Sequence, residues 1–231
     1  MEDTLPVDIP PSGPHPTRMA WRPRAIRVFG LTGGIGAGKT VVGRVFRRAG
    51  IPVIDADEVA RNLLAPGTAL SVSVVETFGE GILGPDGRID RAALGRRVFP
   101  DPAALATLNR LTHGAVLDVL GTRLGILAEM GVPIAVVEAA LIVDVDLHRD
   151  LDGLVVVSAP DASRIARAAS RDGASPADVR ARAASQVPEA ERLAAARWVI
   201  RNEAGLEELT DQAIHVAVEL ARERGRKEAS P

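Results

Sequence analysis

Residues 33–40 read Gly-Gly-Ile-Gly-Ala-Gly-Lys-Thr, the spacing G-x-x-x-x-G-K-[ST]. A loop of this composition works only where a strand delivers the chain and a helix takes it away. The glycines let successive backbone N–H groups converge on an anion, and the helix N-terminus adds its partial positive charge. The flanks supply both elements. Ile26–Leu31 is a short apolar run, and Val41, Val42, Val45 and Phe46 mark the buried face of a helix from Thr40 to Ala49. In that context the spacing is a site for nucleotide phosphates. Its candidate binding groups run through Gly34, Ile35, Gly36, Ala37, Gly38, Lys39, Thr40 and Val41. Only two of the 28 basic residues are lysine, Lys39 and Lys227. Arginine serves nearly everywhere else, so position 39 needs a compact ammonium on a flexible stem, a place that a planar guanidinium fork cannot take.

Further apolar runs occur at Ile51–Ile54, Ile134–Val137, Leu154–Val157 and Trp198–Ile200. They are continuous rather than alternating, as expected of parallel strands buried on both faces. Helical stretches separate them, which predicts a three-layer α/β fold with a parallel sheet. The stretch between the second and third strands is too long for a simple crossover. Residues 69–79 and 91–128 have helical periodicity, with a turn at Gly84-Pro85-Asp86-Gly87, so an inserted helical substrate lobe is expected at about 62–128. An arginine-rich helical stretch from Arg164 to Arg197 suggests a lid at about 161–197. Residues 1–24 hold six prolines and few apolar residues, which predicts a disordered extension. The folded domain is expected at 25–225, with its last helix from Gly205 to Arg224, followed by a polar tail at 226–231.

Composition narrows the function classes. The chain has no cysteine, which excludes disulfides and thiolate metal sites. A net charge of −2 gives no global attraction to nucleic acid or anionic membranes. Four Phe, two Trp and no Tyr provide no platform for stacking single-stranded bases. No apolar run reads as membrane-spanning, and the N-terminus has no signal-peptide core. The expectation is a cytoplasmic protein acting on a small molecule, as a monomer or a weak homo-oligomer.

Asp55 and Asp57 follow the second strand, and ligands of open α/β sheets bind beyond the carboxyl ends of the strands. If a helix starts at Ala56, Asp55 caps it and Asp57 faces the phosphate loop. Glu138 ends the third strand, where P-loop proteins place an acidic residue near magnesium. Asp144 and Asp146 lie just beyond it. Arg167 and Arg171, at i and i+4, share a helix face and could close over a polyphosphate. The same helix reads equally as a solvated one paired with Asp161, Asp172 and Asp178. His113 sits among Leu108, Leu111 and Val116, a core or boundary pattern, and the other histidines have no metal spacing.

Leu31–Thr40, Gly50–Asp57 and Ala60-Arg61, taken together, resemble the dephospho-coenzyme A kinase family. The resemblance continues through Asp86–Arg91, Leu94, Val98-Phe99, Leu111 and His113. It extends to Arg167-x-x-x-Arg171-Asp172, Gln186 and Val199-Ile200-x-Asn202, covering about 26–222. It implies a P-loop kinase fold and transfer of the ATP γ-phosphoryl group to the ribose 3′-hydroxyl of dephospho-CoA, with Mg²⁺. It further implies Asp57 as the base, Lys39 between the β- and γ-phosphates, and Thr40 as a Mg²⁺ ligand with Glu138 as a second candidate. Arg167 and Arg171 would close from the lid, and Asp55, Arg61, Arg91 and His113 would serve the acceptor. Three places depart from the family pattern: Ala140–Asp144 replaces Pro-Leu-Leu with an aromatic and Glu, Gly114 replaces Pro, and Arg197 replaces an Asp. These departures would bear on acceptor contacts and lid docking. The alternatives are another P-loop small-molecule or nucleoside kinase, or a nucleotide-binding regulatory protein without turnover.

Overall fold

The computed structural model describes residues 21–98 and 100–223, with Arg91 and Ala92 described by backbone only. Residues 1–20, Phe99 and residues 224–231 lie outside it. Five strands, β1 (Arg27–Gly33), β2 (Val53–Asp55), β3 (Ile134–Glu138), β4 (Leu154–Ser158) and β5 (Trp198–Arg201), form one sheet in the order β2-β3-β1-β4-β5. Every neighbouring pair is parallel. β3 and β4 are buried at every position, which is why their sequences run Ile-Ala-Val-Val and Leu-Val-Val-Val without alternation. The chain leaves β1 for one side of the sheet and later returns on the other. The crevice beyond the carboxyl end of β1 is therefore a topological switch point, where such sheets bind ligands.

α1 (Lys39–Arg48) and α9 (Leu206–Arg222) cover one face, burying Phe46, Leu209 and Leu220 against Phe29, Leu31 and Ile200. α2 (Ala56–Leu63) and the carboxyl half of α5 (Pro102–Glu129) cover the other, with Val59, Leu120 and Leu124 against Val28, Val137 and Val156. α3 (Ala69–Phe78), α4 (Arg91–Val98) and the first turns of α5 enclose a third cluster of Leu70, Val74, Ile82, Leu94, Val98 and Leu105. This is the inserted lobe, and it has its own small core. α5 starts cleanly because Asp101 accepts N–H bonds from Ala103 and Ala104 and Pro102 occupies its first turn. Contrary to the sequence expectation, α5 is long and apolar enough by length and composition to cross a membrane. Its apolar residues serve two cores in succession, the lobe and then the sheet, and that double duty accounts for its composition.

The arginine-rich stretch is three short helices rather than one: α6 (Asp161–Asp172), α7 (Pro176–Ala184) and α8 (Glu189–Ala194). Gly173 ends α6 in the left-handed region, Ser175 caps α7, and Pro188 precedes α8. The described chain also starts before residue 25. Arg22 pairs with Asp152 at 2.5 Å, and the Trp21 carbonyl lies against Gly121 of α5.

Arg197 does not belong to the lid. It stands just before β5, at the opposite end of the sheet from the phosphate loop, and donates to Glu223 at 2.5 Å while its guanidinium lies 4.4 Å from the Trp198 ring centroid. Arg27 donates to the other Glu223 oxygen at 2.5 Å. The expected effect of this position on lid docking is thus overturned: the positive charge is used at the base of the sheet, where a buried glutamate faces it. Arg197→Ala should leave kinetic constants within about twofold and cost about 1–2 kcal/mol, since Arg27 still holds Glu223. Thermal unfolding beside a steady-state assay checks both halves.

Candidate active site

The chain enters the phosphate loop at Gly33 and leaves it into α1 at Lys39. Gly36 and Gly38 have φ of 72° and 110°, the region that favours glycine. A Cβ on Gly36 would also meet the Arg164 carbonyl at 2.1 Å, and one on Gly38 would meet Asn202 Nδ2 at 2.6 Å. The loop is gripped from outside. Arg164 Nη1 donates to the Ile35 carbonyl (3.3 Å), Arg167 Nε to the Gly36 carbonyl (2.9 Å) and Asn202 Nδ2 to the Ala37 carbonyl (2.8 Å). Across a trans peptide the N–H points opposite to the carbonyl. Holding the Ile35 and Ala37 carbonyls outward therefore turns the Gly36 and Gly38 N–H groups toward the crevice. Gln186 Oε1 accepts the Ile35 N–H at 3.1 Å. Lys39 folds back over the loop, its Nζ donating to the Gly33 carbonyl at 2.8 Å and reaching the Gly34 carbonyl at 3.5 Å.

Opposite the loop, Asp55 caps α2, its Oδ1 accepting the Glu58 N–H at 2.8 Å. The helix begins at Ala56, so Asp57 sits in its first turn and turns inward. Its Oδ2 accepts the Ala140 N–H at 3.1 Å. Burial raises the Asp57 pKa above the ordinary carboxylate range, opposed by the Lys39 charge and by the Ala140 amide. Burial lowers the Lys39 pKa, opposed by Asp57 and Glu138. Each group thus pays desolvation and is partly relieved by the other. Glu138, 6% exposed and paired in register with Asp55, is raised first by burial and then by the Asp55 charge.

Glu138 Oε2 lies 2.6 Å from where a Cβ of Gly43 would stand, on the face of α1 that carries Thr40 one turn earlier. Among the described residues no group of three or more His, Cys, Asp or Glu could hold a metal alone. A hydroxyl and a carboxylate on one rim of a phosphate loop do fit Mg²⁺, which takes few protein ligands and completes its shell with phosphate oxygens and water.

The remaining candidates divide. Arg167 reaches the loop, whereas Arg171 makes a two-point contact with its neighbour Asp172 (2.6 and 3.1 Å), and that hydrogen bond raises its pKa. Asp172 is also 3.4 Å from Arg182, and its own pKa is lowered chiefly by the Arg171 hydrogen bond. Arg61 is exposed on α2, one turn beyond Asp57, close enough to favour the Asp57 carboxylate. His113 is half-buried on α5, and Arg91 opens α4, its side chain outside the described set. Asp144 engages the lid's return segment: its Oδ1 accepts the Val187 N–H at 2.9 Å, and Arg192 Nη1 donates to the Val187 carbonyl at 2.5 Å. That grip fixes the segment carrying Gln186. Sequence reasoning missed Arg164, Gln186 and Asn202 as loop supports, although the arginine run and the Asn directly after β5 were visible.

A family model described as dephospho-CoA kinase matches residues 27–208. Among curated relatives, a dephospho-CoA kinase of Methylococcus capsulatus is 46% identical over 191 residues, 81% of this chain and 94% of that one. One from Geobacter sulfurreducens is 42% identical over 184 residues, 80% and 93% of the two chains. Of solved structures, TT1252 from Thermus thermophilus superposes with a TM-score of 0.75 at 32% identity, covering 84% of this chain and 97% of that chain. The dephospho-CoA kinase from Campylobacter jejuni gives 0.55 at 25% identity, covering 85% and 98%.

Proposed function

The chain belongs to the dephospho-CoA kinase family, and from that premise we propose how its residues divide the transfer of the ATP γ-phosphoryl group to the ribose 3′-hydroxyl of dephospho-CoA. The enzyme is a kinase of coenzyme A synthesis with ATP as co-substrate. The observation that carries the assignment is the juxtaposition of Lys39, folded over the phosphate loop, with the inward carboxylate of Asp57 across the switch-point crevice. Within the loop from Gly34 to Val41, the amides of Gly36 and Gly38, which face the crevice, receive the phosphates with those of Lys39 and Thr40 at the start of α1, while the Ile35, Ala37 and Val41 N–H groups hold the loop's own shape. Lys39 leaves its carbonyl partners to span the β- and γ-phosphates, and Arg167 closes from α6. Arg171 joins it by releasing Asp172. Asp57 takes the proton of the 3′-hydroxyl as that oxygen bonds to the γ-phosphorus and the bond to the ADP oxygen breaks. By the family pattern Arg61, Arg91 and His113 serve the acceptor, and Asp55 acts through its cap, by fixing where α2 begins.

Thr40 and Glu138 would hold Mg²⁺. Bound there, the cation would neutralise charge on the β- and γ-phosphate oxygens. Positioning and charge neutralisation account for most of such a transfer, and residues of one chain supply both, which supports a monomer or weak homo-oligomer as the working form. ADP release measured with dephospho-CoA against a panel of nucleosides tests the assignment. Preference for a nucleoside would overturn it. Because Asp57 must be ionised to accept a proton and burial raises its pKa, kcat/KM should fall off on the acid side at a pH above the ordinary aspartate value of about 3.9. A pH–rate profile with an acid limb at or below that value would contradict the role.

A further inference from the structure

We propose that Thr32 and the backbone of Ala140 form a positioning relay that aims the Asp57 carboxylate at the acceptor. Thr32 is fully buried near the end of β1, one residue before the phosphate loop begins. Its Oγ1 donates to the Ala140 carbonyl at 3.2 Å, and the Ala140 N–H donates to Asp57 Oδ2 at 3.1 Å. Ala140 is thus held on both sides, its carbonyl by the strand that carries the phosphate loop and its amide by the carboxylate across the crevice. The Ala139 N–H also bonds the Leu31 carbonyl at 3.1 Å, which ties the start of the β3–β4 loop to β1. Asp57 Oδ2 is occupied by this amide. Among the described residues Oδ1 has no such partner and is the oxygen left for the acceptor hydroxyl.

The relay connects the two halves of the site by hydrogen bonds rather than by charge. It sets the distance between the Asp57 oxygens and the loop that holds the phosphates, which is the distance an in-line transfer depends on. The amide also favours the ionised form of Asp57, in concert with Lys39 and Arg61 and against Asp55. The family pattern has proline at position 140, so the bond is particular to this chain: only a residue with a backbone N–H can make it, and proline cannot. The side chain at 140 has no part in it.

The inference rests on Asp57 being the base, and the variants separate the two claims. Thr32→Val removes one hydroxyl at nearly constant volume, Thr32→Ser restores it, Ala140→Pro removes the amide, and Ala140→Ser keeps it. In the full chain, Thr32→Val should lower kcat about threefold to tenfold with KM for ATP within about twofold, and Thr32→Ser should recover most of it. Ala140→Pro, which restores the family's residue and removes the amide, should move the acid limb of the pH profile upward and lower kcat by about threefold to tenfold, while Ala140→Ser stays near wild type. Should the proline variant not fold, the wild-type protein decides by NMR: the Ala140 amide proton shift should titrate in step with the Asp57 carboxyl carbon. An independent titration, wild-type kcat in Thr32→Val, or an Ala140→Ser defect as large as that of Ala140→Pro would overturn the relay. If Asp57→Asn itself keeps turnover, the base assignment has failed instead.

Discussion

Asp57→Asn is expected to lower kcat by about 10²–10⁴-fold while ATP affinity stays within a few-fold of wild type or tightens. The substitution is isosteric, so α2 and its Asp55 cap persist. With the Ala140 N–H donating to one side of the group, the amide settles with its oxygen toward Ala140. Its NH₂ then faces the acceptor, where a proton has to be received, and an amide cannot take it. Nucleotide binding behaves differently because a negative charge beside the γ-phosphate disappears. Lys39 loses the larger of its two favourable carboxylate interactions, but a phosphate supplies a stronger one. Single-turnover phosphoryl transfer with dephospho-CoA, alongside ATP binding by calorimetry, resolves the two effects. Wild-type turnover would sink the base assignment. A large loss of ATP affinity would mean that the carboxylate holds the loop's shape rather than the proton.

The features of this site that were legible in the sequence are those whose signal is local. Gly33 to Thr40 announces itself by spacing, and the apolar runs announce strands because strands buried on both faces need no polar alternation. The inward turn of Asp57 follows from a helix beginning at Ala56, which makes Asp55 the cap. The supports of the phosphate loop were not legible in this way. Arg164 and Asn202 reach Ile35 and Ala37 because the carboxyl ends of β4 and β5 converge on the loop, and Gln186 reaches Ile35 from the segment between α7 and α8. A run of arginines gives no sign of which one turns inward.

Departures from the family pattern were visible as letters but not as positions. Arg197 stands at the far end of the sheet, where Glu223 and Trp198 receive it. Asp144 acts on the lid's return segment through the Val187 N–H. Ala140 contributes only backbone atoms, so a reading based on side chains registers the change from the family's proline and misses a hydrogen bond to the base. The lid was foreseen as one helical stretch because its helical character is real in each part. Its breaks at Gly173, Ser175 and Pro188 divide the arginines into separate roles that their spacing alone does not distinguish.

Lys39→Met and Lys39→Arg should each reduce kcat/KM by at least about 10²–10³-fold, the scale of losing one preorganised charge contact to the transferring group. For methionine the reason is charge. For arginine it is shape and solvation. The Lys39 ammonium lies against the carbonyls of Gly33 and Gly34. A point donor can swing from those carbonyls to a phosphate bridge by rotating its stem, whereas a planar fork must carry five N–H groups through the same space. Burial lowers the lysine pKa, so the wild-type basic limb should lie below the ordinary lysine value of about 10.4. In Lys39→Arg the residual activity should lack that limb, because the guanidinium does not lose its proton. An arginine variant with wild-type kcat/KM would show that charge alone suffices at position 39, and the near-absence of lysine elsewhere in the chain would then carry no mechanistic meaning.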